Sequence, residues 1–121
     1  MLLANEHDCI EAIGEIVREK KWNPAVNNNQ AIRWASSMGF VKVVRELLQD
    51  PRVDPAAKNN EAIRIASRKG YAEIVRELLK DKRVDPESNN DEAMRMAKFY
   101  KHSKVCEELL KNKKTSLVVD E

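Results

Sequence analysis

At 121 residues, with three glycines and four prolines, the chain suits one domain able to bury a modest core without disulfide or metal staples. Charged residues make up 35% of it and hydrophobic ones 42%, the mixture of a soluble helical protein with a heavily charged outer face. Its 22 basic and 20 acidic residues are too balanced to single out nucleic acid or a membrane surface as a partner, and no window approaches the roughly 18 consecutive apolar residues of a membrane span.

The opening residues, Met1 to Asp8, turn acidic too early for a signal peptide. With Cys9 and Cys106 isolated from each other, the default compartment is a reducing cytosol. Asp8, followed three residues later by Glu11, has the form of a capping box and predicts a helix start. Residues 22–52 then read WNPAVNNNQAIRWASSMGFVKVVRELLQDPR, and residues 53–83 read VDPAAKNNEAIRIASRKGYAEIVRELLKDKR. Aligned without a gap they agree at 17 of 31 positions, so they are copies of one unit. A third copy, residues 84–114, follows in register: Pro24, Pro55 and Pro86 align, as do Ala35, Ala66 and Ala97. Shifting back one period sets Ala4 under Ala35, so residues 1–21 read as half a unit, and 115–121 as a tail.

Each unit predicts two helices. In the second copy, Asn59 or Asn60 is a good N-cap, and Ala62, Ile63, Ile65 and Ala66 recur at helical spacing. Gly70 ends that helix in a left-handed conformation. A second helix over 71–80 buries Tyr71, Ile74, Val75, Leu78 and Leu79 and exposes Glu73, Arg76, Glu77 and Lys80. The Asp85-Pro86 step then enforces an extended connector. Helices this short are marginal alone, so the units must stack into one continuous core. The fold class that follows is all-α: a solenoid of about 3.5 helix-turn-helix units with short extended connectors.

Helix, glycine turn, helix and connector in some thirty residues resemble the ankyrin repeat. The matching residues are the Ala-Ile-Arg-Xaa-Ala segment, Gly39 and Gly70, and the Val-Arg-Glu-Leu-Leu run. The 31-residue unit is shorter than the family's usual 33, and the loss falls in the connector, so the family's projecting hairpin is expected to be clipped. The resemblance implies a binding module whose first helices line a concave face. On that face Gln30, Arg33 and Ser37 align with Glu61, Arg64 and Arg68, and with Glu92, Arg95 and Phe99. The scaffold is constant while the column Ser37, Arg68, Phe99 varies, which makes this stripe, with Tyr100, the expected partner-binding site.

Two readings of the aligned arginines stay open: a ladder for an acidic or phosphorylated segment, or a structural bond to Asp54 and Asp85 or to the nearby Glu61 and Glu92. Phe99 and Tyr100 are either binding anchors or a cap folding over the array's end or over Leu117-Val118-Val119. Trp34 aligns with Ile65 and Met96 and is expected in the core, while Trp22 is expected to be partly exposed at the first full junction. Catalysis finds no footing. There is no phosphate loop or metal-ligand spacing, and stacking would hold Cys9 and Cys106 roughly 25–30 Å apart, beyond disulfide reach. Cys106 reads as a small core residue, and His102, replacing Phe40 and Tyr71, as a half-buried structural one. The expected protein is a monomeric, cytoplasmic, non-catalytic adaptor, scaffold or stoichiometric inhibitor, without cofactor or metal, that binds another protein. The alternatives are a structural fragment of a longer array and a basic RNA- or phosphate-binding surface using Arg33, Arg64, Arg68, Lys69, Arg95 and Lys98.

Overall fold

The computed structural model describes Glu6, Ile10, Glu11 and residues 23–120, the last eight by backbone alone. Residues 23–120 set out six helices in pairs. The first unit holds α1 (Val26–Met38) and α2 (Val41–Leu48), the second α3 (Ala57–Lys69) and α4 (Ala72–Leu79), and the third α5 (Ser88–Phe99) and α6 (Ser103–Asp120). No strand occurs among the described residues. The first helices α1, α3 and α5 pack side by side in one row, the second helices α2, α4 and α6 in another, and the first row is the tighter. Alanines allow this. Ala35, Ala62, Ala66, Ala93 and Ala97 are fully buried, so backbones approach where a larger side chain would hold them apart.

Between the rows runs one core. Ile32, Val43, Val44 and Leu47 continue into Ile63, Ile74, Val75 and Leu78, and then into Met94, Val105 and Leu109. Burying each large aliphatic contributes about 1.5–3 kcal/mol, and most of that depends on the neighbouring unit being in place. Ile10 packs against the same core, and Glu6 reaches α2, its Oε2 accepting the Lys42 amide at 2.7 Å. An acidic group at an orphan amide of a helix start is favourable on both hydrogen-bonding and dipole grounds. The remaining expectations for the N-terminal half unit, including the Asp8 cap, Cys9 and Trp22, lie outside the described residues.

The turns between paired helices follow the glycine reading. Gly39 (φ +78°) and Gly70 (φ +85°) are left-handed, and the next amides close the turn: Phe40 to the Ala35 carbonyl at 3.0 Å, Tyr71 to that of Ala66 at 2.9 Å. Each glycine also lies under a ring from the next unit. A Cβ on Gly39 would stand 3.0 Å from the Tyr71 ring, and one on Gly70 would stand 2.7 Å from His102 Nδ1. The third unit builds the same turn on Lys101 (φ +61°), with His102 bonding the Ala97 carbonyl at 2.8 Å.

The connectors are tight turns. Asp50 and Asp81 each chelate the arginine two residues on, Asp81 Oδ2 accepting Arg83 Nη2 at 2.8 Å. Asp54 and Asp85 each accept the amide two residues later, across the proline. In the third unit no connector follows, and α6 runs on through the corresponding positions to Asp120.

One element departs from the sequence reading. The residues expected to cap the first helices form a full left-handed turn instead. Asn27 to Asn29, Lys58 to Asn60 and Asn89 to Asp91 all have φ between +56° and +61°. Each turn is closed by an amide-to-carbonyl bond, Asn29 to Ala25, Asn60 to Ala56 and Asp91 to Glu87. Right-handed helix begins only at Gln30, Glu61 and Glu92. No asparagine side chain caps its own helix. Asn29 and Asn60 reach forward, each Oδ1 accepting a connector amide of the following unit (Asp54 and Asp85) at 2.8 Å. Asparagine is the non-glycine residue that tolerates this backbone best, which accounts for the Asn-Asn pair in every unit.

Candidate functional site

The exposed side of the first-helix row is built from three successive copies of the same four-residue spacing. Arg33, Arg64 and Arg95 stand one helical turn before Ser37, Arg68 and Phe99, so each pair shares a helix face. What differs is how far each arginine is already engaged.

Arg33 donates from Nε to the Asn28 carbonyl at 3.0 Å and from Nη2 to the Asn27 carbonyl at 3.0 Å. Arg64 repeats this on Asn59 and Lys58, at 2.9 and 3.1 Å. The planar fork thus satisfies the carbonyls of the left-handed turn, which the helix geometry leaves unpaired. The third position reaches across to the next unit: Arg33 Nη1 to Glu61 Oε1 at 2.9 Å, and Arg64 Nη1 to Glu92 Oε1 at 3.0 Å. Both arginines are about 80% covered. Their carboxylate partners are therefore on the following unit, not at Asp54 and Asp85 and not within their own helices. Arg95 makes the two carbonyl bonds, to Asn90 at 2.9 Å and Asn89 at 3.4 Å, but has no carboxylate partner among the described residues.

A second ladder runs along the other row. Arg45 bonds Glu77 at 3.1 Å and Arg76 bonds Glu108 at 3.4 Å, each one unit on, with Lys80 and Lys111 adding a contact from within the helix. These residues border shallow grooves between successive second helices, the larger about 350 Å³ and lined by Arg45, Leu48, Gln49, Glu77, Lys80 and Asp81. Burial pushes the Glu77 carboxyl up, but its bonds to Arg45 and Lys80 more than reverse this and hold it below the usual carboxylate range. Glu92 is also held low, by its bond from Asn89 first and then by Arg64. Asp81 is low because of Arg83.

Phe99 is 71% and Tyr100 50% exposed, meeting edge to face with centroids 4.9 Å apart. Tyr100 also stacks on His102, whose Nε2 lies 3.0 Å from the Arg68 carbonyl. Ser37 turns back to bond the Trp34 carbonyl, and Lys69 reaches the Ser37 carbonyl from the next unit. Trp34 is no core residue: 37% of it is exposed, with its ring set edge-on to Phe40 at 5.4 Å. Cys106 is half-buried against the core.

Lys98 belongs to the basic-surface alternative, and Lys101 stands where the earlier units carry glycine; neither falls in the expected protein-binding stripe. At 98, Lys replaces Ser36 and Ser67. Those serines are fully buried under the next unit, whereas Lys98 is exposed. No group of three or more His, Cys, Asp or Glu among the described residues could hold a metal ion, and no described helix is long and apolar enough to cross a membrane.

Stacked helix pairs of this spacing, with glycine turns and proline connectors, match the family model for ankyrin repeats in three copies over residues 32–119. The chain belongs to the ankyrin-repeat family. No curated protein and no solved structure matches it. Ankyrin repeats are generally protein–protein interaction modules. In this ankyrin chain the first-helix row offers exposed side chains of changing chemistry on a constant backbone.

Proposed function

We propose that the chain is a non-catalytic adaptor, scaffold or stoichiometric inhibitor that takes a partner protein on its first-helix face. The site comprises Gln30, Arg33, Ser37, Glu61, Arg64, Arg68, Arg95, Phe99 and Tyr100. The observation that carries this reading is the column Ser37, Arg68, Phe99, in which equivalent backbone positions present a hydroxyl, a cation and an aromatic ring. Within the site the residues divide by task. Arg33, Arg64 and Glu61 hold the units in register and fix the surface, while Arg68, Arg95, Phe99 and Tyr100 are available to touch a partner. Exposed aromatics and arginines on a rigid face are the usual anchors of such contacts.

Affinity purification with the whole chain tests this, using one variant with Arg68→Ala and Phe99→Ala and a second with Lys80→Ala and Leu110→Ala on the other row. The expected result is a partner retained by the parent chain and the second variant but lost from the first. Loss confined to the second variant would place recognition on the wrong side of this reading. A partner that is RNA, released steeply by added salt, would also contradict it.

A further inference from the structure

Among the aligned arginines, Arg95 alone has no carboxylate among the described residues in its third hydrogen-bonding direction. In the two earlier units the fork is filled in the same way, by two carbonyls and one glutamate of the next unit. The turn beneath Arg95 has the same backbone, and its two carbonyl bonds are in place. The guanidinium is therefore pre-positioned as its counterparts are. Three further cations share this end of the row. Arg68, Lys98 and Lys101 are exposed, and their side chains make no hydrogen bond or ion pair among the described residues. Glu92, the α5 carboxylate that feels the charge of Arg95, is already paired with Arg64. One turn from Arg95 stands the Phe99–Tyr100 pair, the largest exposed aromatic surface described.

We infer that this end of the first-helix row binds an acidic peptide segment with an apolar side chain close to its carboxylate. The partner's carboxylate takes on Arg95 the place that Glu61 and Glu92 take on Arg33 and Arg64, and its apolar residue packs on Phe99 and Tyr100. This rests on the first-helix face being the binding face and adds the chemistry of what binds. Charge complementarity selects the occupant: four cations share this end of the row with two exposed aromatic rings, and each internal copy of the site is filled by a glutamate. A carboxylate on a pre-set guanidinium is a strong, directional contact, and the rings supply area at small entropic cost.

Display selection of random 12-residue peptides on the whole chain supplies the probes, and fluorescence anisotropy of the enriched peptides measures them. The expected peptides carry Glu or Asp within four residues of Leu, Ile or Phe. Replacing that acid by Gln in the peptide, which leaves the protein untouched, should weaken binding about tenfold or more. Phe99→Ala should do the same while the melting temperature stays unchanged. Enriched peptides without an acid, or indifference to both changes, would overturn the inference. Peptides that respond to Gln30→Ala or Ser37→Ala at the other end would spare the first-helix reading while sinking this one. Peptides that respond only to Lys80→Ala, or a selection that enriches nothing, would count against both.

Discussion

Arg64 Nη1 lies 3.0 Å from Glu92 Oε1, twenty-eight residues further on, and repeats the 2.9 Å bond from Arg33 to Glu61. The same guanidinium holds the left-handed turn of its own unit through two carbonyls. One side chain therefore ties the least favourable backbone of a unit to the stacking of the next.

A graded outcome follows for the three arginines. Arg64→Ala removes two bonds to backbone and one ion pair that is largely covered, and should cost about 2–3 kcal/mol, roughly 6–10 °C in melting temperature. Arg33→Ala should cost a similar amount. Arg95→Ala removes only the carbonyl bonds and should cost less than half as much. Lysine cannot reproduce the fork, so Arg64→Lys should recover little. Thermal unfolding followed by circular dichroism ranks the four, and equal losses at Arg64 and Arg95 would contradict the inter-unit bond.

Opposite signs are expected at two equivalent turn positions. Gly70→Ala meets both a left-handed backbone and the His102 ring at 2.7 Å, and should destabilise by more than about 2 kcal/mol. At Lys101 only the backbone is unfavourable, so Lys101→Gly should stabilise by up to about 1 kcal/mol. Chemical denaturation of the two variants measures both, and a loss of stability in Lys101→Gly would contradict the assigned backbone.

Ser36 and Ser67 are fully buried, and their hydroxyls have no hydrogen-bond partner among the described residues. An unpaired buried hydroxyl costs about 1–3 kcal/mol, and alanine is the better helix former. Ser67→Ala should therefore raise stability by about 1 kcal/mol or more. A lowered denaturation midpoint would show that the hydroxyl is satisfied.

Acid should loosen the stack at defined places. The carboxyls of Glu77, Asp81 and Glu92 are held below their ordinary values in the folded chain. A depressed folded value means a contribution fully present above the unfolded carboxylate range, about pH 4, and lost as pH falls through the folded value. Melting temperature should hold from neutrality to about pH 4.5 and decline below it. In Glu92→Gln the decline should be shallower and start from a lower plateau.

Much of the architecture was legible because repetition reports it. The 31-residue period located the units, apolar spacing located both helices of each pair, and Gly39 and Gly70 located the turns. The right-handed part of α3 begins at Glu61 as the spacing predicts. The asparagine runs misled, because a short polar side chain that favours caps also favours the left-handed region, and periodicity cannot distinguish the two. Trp34 was assigned to the core from its alignment with Ile65 and Met96. Its larger ring instead rests edge-on against Phe40 at the surface. The arginine partners were beyond sequence reach, since a contact between positions 64 and 92 depends on how the units stack. For the proposed binding face, the sequence could nominate the variable column but not show that Arg33 and Arg64 are paired with Glu61 and Glu92 while Arg95 has no carboxylate partner among the described residues.

The most direct test of the first-helix face is amide hydrogen exchange of the whole chain with and without the partner recovered by affinity purification. Binding as proposed slows exchange in residues 61–69 and 92–101 and leaves 72–80 unchanged. Slowing confined to 41–49, 72–80 and 103–112 would place the partner on the second-helix row and contradict the account.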